Sequence, residues 1–159
     1  MYEVDRDSMA AASVLHIGED DCHRSDVLRS AGYEVQPCES DAAVVRWFRT
    51  GQRADLVCIV EEMQKPAEST LAIVRNFSQA PIVLFRRTSF NYIQRVWNLE
   101  VPPLAPPQVW LQSIDELLAA TMARSAALRA ESQQVREQSA LERARSRALR
   151  EAIARNLKI

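Results

Sequence analysis

Glycine and proline are confined to the first two thirds of this 159-residue chain, and this distribution constrains the fold most strongly. All three glycines and all seven prolines lie at or before Pro107. From Gln108 to Ile159 the sequence contains neither residue and is rich in Ala, Arg, Glu, Gln and Leu, which favour helix. This stretch predicts one helix of up to about 52 residues, roughly 78 Å long. Because a globule of about 110 residues has a radius of gyration near 13 Å, we expect most of this helix to project beyond the globule.

The charge of the chain changes sign near the same place. The net charge is −1, but residues 1–122 carry 11 basic and 17 acidic side chains, whereas residues 123–159 carry 9 basic and 4 acidic ones. The sequence therefore predicts an N-terminal tail at 1–12, an acidic globular domain at 13–122 and a basic helical extension at 123–159.

The composition is typical of a globular protein, with 47% hydrophobic and 26% charged residues. No apolar run approaches the ~18 residues of a membrane span, and the acidic N-terminus does not resemble a secretion signal. The three cysteines, Cys22, Cys38 and Cys58, lack metal-ligand spacing, and Cys58 lies within an apolar run. We predict a reduced, cytoplasmic protein that does not enter a membrane.

Short apolar runs alternate with helical patterns over the predicted domain. The strand candidates lie at 13–17, 33–37, 56–60, 82–85 and 98–101. The third and fourth are apolar throughout, and the first is apolar except for Ser13 and His16. Helical patterns lie at 22–30, 41–50 and 69–78, the last with a cap predicted at Ser69 or Thr70. Strands that alternate with helices predict a three-layer α/β fold with a doubly wound, five-stranded parallel sheet.

Three local features accompany this element order: "SAGYEV" leads into the second strand, "DLV" opens the third, and "EEM" with a later proline follows it. Together they resemble the response-regulator receiver domain of bacterial two-component and phosphorelay signalling. The resemblance covers residues 13–122 and implies a flavodoxin-like sheet with strand order 2-1-3-4-5.

A working receiver carries its chemistry at the C-terminal ends of its strands. The resemblance implies two acidic residues for Mg²⁺, an aspartate nucleophile, a Thr or Ser, and a Lys before a proline. In this sequence the corresponding positions form a degenerate pocket of Gly18, Glu19, Val60, Arg86 and Pro102. An aliphatic side chain at the nucleophile position cannot accept a phosphoryl group, so we predict a pseudo-receiver with no catalytic residue, metal or cofactor.

Nearby carboxylates leave an alternative open. We predict that Glu61 and Glu62 are solvated loop residues, but a substitute phosphoacceptor at Glu62 or Asp20 remains the alternative. Glu19 and Asp20 are the remnant of the metal site, and we expect Arg86 or Arg87 to form an ion pair there.

Other features of the domain have plain interpretations. His16 is predicted in the core and His23 at the start of the first helix, and the isolated glycines indicate no nucleotide-binding loop. The stretch 86–97 leaves little room for a full fourth helix.

The basic extension repeats with a period of seven residues. Serine recurs at 125, 132, 139 and 146, arginine recurs at 129, 136, 143 and 150, and Glu142 interrupts the apolar series. A strict heptad predicts a left-handed coiled coil with serines at position a and arginines at position e. The predicted seam consists of Leu118, Ser125, Leu128, Ser132, Val135, Ser139, Ser146, Leu149 and Ile153.

These patterns predict a non-enzymatic signal-transduction or adaptor protein that forms a homodimer through its last helix and binds an unidentified protein partner. The first alternative is an atypical receiver phosphorylated at a substitute carboxylate. The second is a nucleic-acid-binding regulator, which we disfavour because the basic residues of the tail are expected to be spread round the helix.

Overall fold

The computed structural model describes residues 11–157, and these form five strands and four helices. The strands are β1 (Ser13–Ile17), β2 (Glu34–Cys38), β3 (Leu56–Val60), β4 (Ile82–Phe85) and β5 (Leu99–Val101). The helices are α1 (Arg24–Ser30), α2 (Asp41–Arg49), α3 (Glu68–Phe77) and α4 (Pro107–Asn156). The predicted tail at 1–12 lies almost wholly outside the described residues.

The sheet is parallel throughout and has the order β2-β1-β3-β4-β5, which confirms the predicted fold. In the pairing of β3 with β4, Val60 lies opposite Phe85. The residues that follow these two strands therefore begin next to each other, although they are far apart in the sequence.

Alternate side chains of the strands enter two separate cores, one on each face of the sheet. Leu15, Val57 and Leu84 pack with residues of α2 and α3. Val14, Cys58, Val60, Val83 and Phe85 pack instead with Leu28 of α1 and with the first turns of α4. Both faces of the sheet are covered by helices, as a parallel sheet requires.

The helix caps differ in one respect from prediction. Ser40 caps α2 by accepting a hydrogen bond from the Ala43 amide at 3.2 Å. The cap predicted for α3 at Ser69 or Thr70 is wrong, because α3 begins one residue earlier and both hydroxyls donate to the carboxylate of Asp41. These side chains connect α3 to α2 instead of closing the end of their own helix.

No helix is present between β4 and β5 among the described residues, which agrees with the short space predicted there. Arg75 of α3 holds the end of this segment. Its guanidinium donates to the Val96 carbonyl at 2.8 and 3.1 Å and to the Ala80 carbonyl at 2.7 Å.

The chain divides into two compact units, one ending at Ala119 and the other beginning at Ala120. In the first unit, the start of α4 buries Trp110, Ile114 and Leu118. Leu118, which the heptad placed in the coiled-coil seam, is therefore a core residue, because the domain covers this part of the helix. In the second unit, Leu128, Val135, Leu149 and Ile153 are exposed on a continuous helix.

Across residues 11–157, we find no helix that combines the length and the apolar character needed to cross a bilayer.

Candidate functional site

The residues of the predicted pocket all lie at the C-terminal edge of the sheet. Gly18 follows β1, Val60 ends β3, Arg86 follows β4 and Pro102 follows β5. In parallel α/β sheets this edge is where ligands and reactive groups are usually held.

Val60 occupies the space at the centre of this edge. Its side chain is 4% exposed and belongs to the core shared with Phe85 and Trp110. Gly18 has a φ of 108°, and a β-carbon added there would lie 3.0 Å from the Val60 carbonyl oxygen and 3.1 Å from the Val60 β-carbon. A side chain at position 18 would therefore be strained in its backbone and crowded by Val60. Glycine at position 18 leaves the room that the valine occupies.

The acidic loop after β1 is engaged by Arg87. The Arg87 Nη1 atom lies 3.6 Å from Glu19 Oε2, and Nη2 bonds to the Asp21 carboxylate. This confirms the hypothesis of an ion pair between the arginines after β4 and the acidic loop after β1, with Arg87 as the cation. Arg86, the other candidate, forms different contacts.

Asp20 is committed to the first turn of α1. Its Oδ1 accepts a hydrogen bond from the Arg24 amide at 2.6 Å, and its Oδ2 accepts one from the Ser25 amide at 3.1 Å. Partial burial acts to raise the pKa of Asp20, but the hydrogen bonds from Ser25 and Arg24 and the nearby His16 outweigh it and hold the pKa below its usual value. The carboxylate is thus ionised and already satisfied by helix amides.

His16 lies beneath this loop in the interior, as the sequence predicted. Its Nε2 is 3.8 Å from Asp20 Oδ1 and has no hydrogen-bond partner. Burial is the main reason that the pKa of His16 is lowered, and the charge of Asp20 only partly opposes this effect. The imidazole is therefore neutral at physiological pH.

Glu61 is the principal residue that sequence reasoning misjudged. The sequence predicted a solvated loop residue, but the side chain is 0% exposed. Its Oε1 accepts hydrogen bonds from the amide of Thr88 at 2.8 Å and from the Thr88 hydroxyl. Its Oε2 accepts one from the hydroxyl of Tyr92 at 2.8 Å and lies 2.9 Å from Nε of Arg86. The prediction is wrong because partners from the segment after β4 surround the carboxylate.

This environment keeps Glu61 charged. Burial acts to raise the pKa of Glu61, but the hydrogen bonds from Thr88 and Tyr92 and the charge of Arg86 together lower it below its usual value. Burial and the bond to Glu61 also raise the pKa of Tyr92 to about 12, so the tyrosine remains a donor.

Arg86 connects this carboxylate to the rest of the edge. Its Nη1 bonds to Glu100 at 3.1 Å, and its Nη2 donates to the carbonyls of Thr88 and Phe90 at 3.2 and 2.7 Å. The guanidinium also lies over the Tyr92 ring, 5.2 Å from its centroid. The Nε contact with Glu61 is ionic, because its angle does not make a hydrogen bond. We call Glu61, Arg86, Thr88, Tyr92 and Glu100 the edge network.

One signal in the sequence could have indicated the edge network. Glu61 and Arg86 each follow directly on a buried strand, and neighbouring parallel strands end at the same edge. The pairing of Val60 with Phe85 places the two charged residues side by side. Glu62, by contrast, is exposed, as predicted.

The donor set does not suit the Mg²⁺ ion that a receiver binds. Of the two acids that the sequence predicted as remnants of a metal site, Glu19 is paired with Arg87, and Asp20 is bonded to helix amides. Among residues 11–157, no group of three or more His, Cys, Asp or Glu side chains is arranged to hold a metal ion. A hard divalent cation would have to displace a guanidinium, and the side chains at positions 18 and 60 would offer it no oxygen ligand.

Solved structures identify the fold of this chain, while no family model and no curated protein matches its sequence. The N-terminal domain of a response regulator/sensory box/GGDEF protein from Carboxydothermus hydrogenoformans is 17% identical, with a TM-score of 0.61 over 71% of this chain and 98% of that one. A chemotaxis response regulator of Vibrio cholerae is also 17% identical, with a TM-score of 0.55 over 68% and 99%.

A third similar structure is a fusion that carries a trimeric coiled-coil segment of a yeast protein. It is 19% identical, with a TM-score of 0.64 over 82% of this chain and 94% of that one. The fold of the chain is thus that of the response-regulator receiver domain, followed by a long C-terminal helix.

Proposed function

We propose that this chain is a non-enzymatic adaptor in signal transduction, built on a receiver fold that cannot be phosphorylated at the usual position. The observation that carries the proposal is the packing of Val60 against Gly18, where a phosphoacceptor and a metal ligand would be needed. The engagement of Glu19 and Asp20 by other groups supports it, since neither carboxylate is free to act as a substitute. A cytoplasmic location is part of the proposal and rests on the cysteine composition.

Incubation with acetyl phosphate and Mg²⁺, followed by intact-mass measurement, tests this proposal. We expect no gain of a phosphoryl group under conditions in which a functional receiver domain is fully modified. A gain that disappears in Glu62→Gln or Asp20→Asn would establish the alternative of an atypical receiver. Glu62 is the more accessible of the two carboxylates, because it is exposed in the loop after β3.

We further propose that the chain forms a homodimer through its C-terminal helix. Leu128, Val135, Leu149 and Ile153 share one side of the helix and are exposed, so a partner helix would bury them. A fully buried side chain of this kind contributes about 1.5–3 kcal/mol, and the serines between them contribute little. The association is therefore expected to be modest.

Two matched leucines test the dimer. Leu149 lies at position d of the heptad and is 64% exposed, whereas Leu141 lies outside the seam and is 61% exposed. We expect Leu149→Asp to dissociate the dimer in sedimentation equilibrium and Leu141→Asp to leave it intact. Equal effects of the two substitutions would count against the proposed seam.

A further inference from the structure

Five arginines of the second unit form a stripe along one side of α4. The helix is continuous from Pro107 to Asn156, so each residue advances by about 100°. Arg129, Arg136, Arg143, Arg147 and Arg150 then fall within an arc of about 60° and extend over roughly 32 Å. We call these five residues the arginine stripe. The other three arginines of the extension, Arg124, Arg145 and Arg155, lie on other sides of the helix.

The side chains of the arginine stripe are exposed along its whole length. Within residues 11–157, none of its five guanidinium groups forms an ion pair with a carboxylate. Arg143 instead donates through Nε to the Ser139 carbonyl of its own helix at 3.1 Å. On the helix, the stripe lies directly beside the predicted seam, while Glu137 and Glu151 lie beyond it on the side away from the seam.

A second copy of the chain complements this stripe poorly. In a parallel coiled coil, position g of one helix meets position e of the other. Arg124 would then face Arg129 and Arg145 would face Arg150, and only Glu131 facing Arg136 is an attractive pair. An antiparallel arrangement is no better, because position e then meets position e and arginine faces arginine along that flank of the seam.

We infer that the preferred partner of this seam is an acidic α-helix of another protein, one that carries Glu or Asp beside its own heptad seam. Four of the five arginines recur every seven residues, a spacing that matches a helix supercoiled along this one. Binding to the phosphate backbone of a nucleic acid would not require arginines at every seventh residue. This inference rests on the coiled-coil role in the proposed function. It implies that the homodimer is weaker than the complex with an acidic helix.

A synthetic acidic peptide provides the probe. It copies residues 125–152 with glutamate at every e and g position, and its control carries glutamine at the same positions. We expect the full chain to bind the acidic peptide about tenfold more tightly than the neutral one at low salt, because several exposed ion pairs each add a little. The variant R129Q/R136Q/R143Q/R150Q should lose this preference.

Salt dependence gives a second and independent readout. Raising NaCl from about 0.05 to about 0.5 M screens exposed charges. We expect binding of the acidic peptide to weaken, while self-association of the chain in sedimentation equilibrium stays constant or tightens because arginine repulsion is screened.

The possible outcomes distinguish failure of the acidic partner from failure of the proposed coiled-coil role. If the chain self-associates but binds the two peptides equally, the acidic partner is excluded and the homodimer stands. If it neither self-associates nor binds either peptide, the coiled-coil role itself fails. If a nucleic-acid duplex displaces the acidic peptide and the glutamine variant loses the duplex as well, the stripe is a phosphate-binding surface and the inference is overturned.

Discussion

The Nε atom of Arg86 lies 2.9 Å from Oε2 of Glu61, a carboxylate that has no exposed surface. By the sequence resemblance, Arg86 is predicted at the position of a receiver Thr or Ser, and its guanidinium supplies the cation for a buried pair. This contact holds the segment after β4 against the end of β3. We expect the edge network to hold a single local arrangement, because loss of one partner would leave an uncompensated buried charge.

Arg86→Met is predicted to destabilise the protein strongly. The substitution leaves Glu61 buried without its cation, and loss of one partner of a buried pair typically lowers the free energy of unfolding by about 3–5 kcal/mol. Urea denaturation measures the change. Arg87→Met is the matched control, because the two arginine side chains are similarly buried, with Arg87 15% and Arg86 13% exposed. The acidic partners of Arg87, in contrast to Glu61, lie on the surface. That control should lose about 1 kcal/mol or less from its ion pairs.

The double variant Glu61→Met/Arg86→Met extends this test. Removing both charges eliminates the unpaired carboxylate, so the double variant should be more stable than Arg86→Met alone. If the two losses simply add, the residues are not energetically coupled.

His16 is predicted to make stability depend on pH between about 7 and 5. Its pKa is lowered in the folded state, so below the ordinary value of about 6.5 the unfolded chain binds a proton that the folded chain does not. The free energy of unfolding should therefore fall as pH decreases through this window, by at most about 1.4 kcal/mol per pH unit. Urea denaturation at several pH values should show this slope in the wild type and a reduced slope in His16→Gln. A slope of the opposite sign would contradict the buried neutral imidazole.

Gly18→Ala should destabilise the protein more than Gly32→Ala. Both glycines have positive φ, so each substitution carries a backbone strain of about 1–2 kcal/mol. Only Gly18 also meets Val60, whereas a β-carbon at Gly32 has nothing within 4 Å. Thermal or urea unfolding compares the two variants, and equal losses would show that the contact with Val60 relaxes freely.

Val60→Asp is predicted to restore the missing residue type without restoring phosphorylation. The new carboxylate would be buried among apolar groups near Phe85, which should lower stability by about 3 kcal/mol or more. Arg86 and Pro102, which the sequence resemblance predicts at the positions of the hydroxyl and the lysine, are unchanged in this variant. Intact-mass measurement after acetyl phosphate treatment tests whether the variant is phosphorylated. The control for stability is Glu62→Asp, an exposed substitution that should change the free energy of unfolding by about 0.5 kcal/mol or less. Phosphorylation of Val60→Asp would show that a single substitution had silenced the site.

Residue type and local periodicity were sufficient for much of this protein. The apolar runs and the intervening helical patterns predicted the parallel sheet, which the structure confirms. The lack of Gly and Pro after Pro107 predicted the long helix α4. Each of these properties depends on residues that are near one another in the chain.

Tertiary structure decided which groups meet. The pairing of β3 with β4 placed Glu61 beside Arg86 and surrounded it with Thr88 and Tyr92, and no local pattern around Glu61 contains that information. Leu118 likewise lies in the core of the domain, although the heptad pattern placed it in the predicted coiled-coil seam. A side chain is buried or solvated according to the neighbours that distant segments bring, and for a charged group those neighbours also determine whether burial is tolerated.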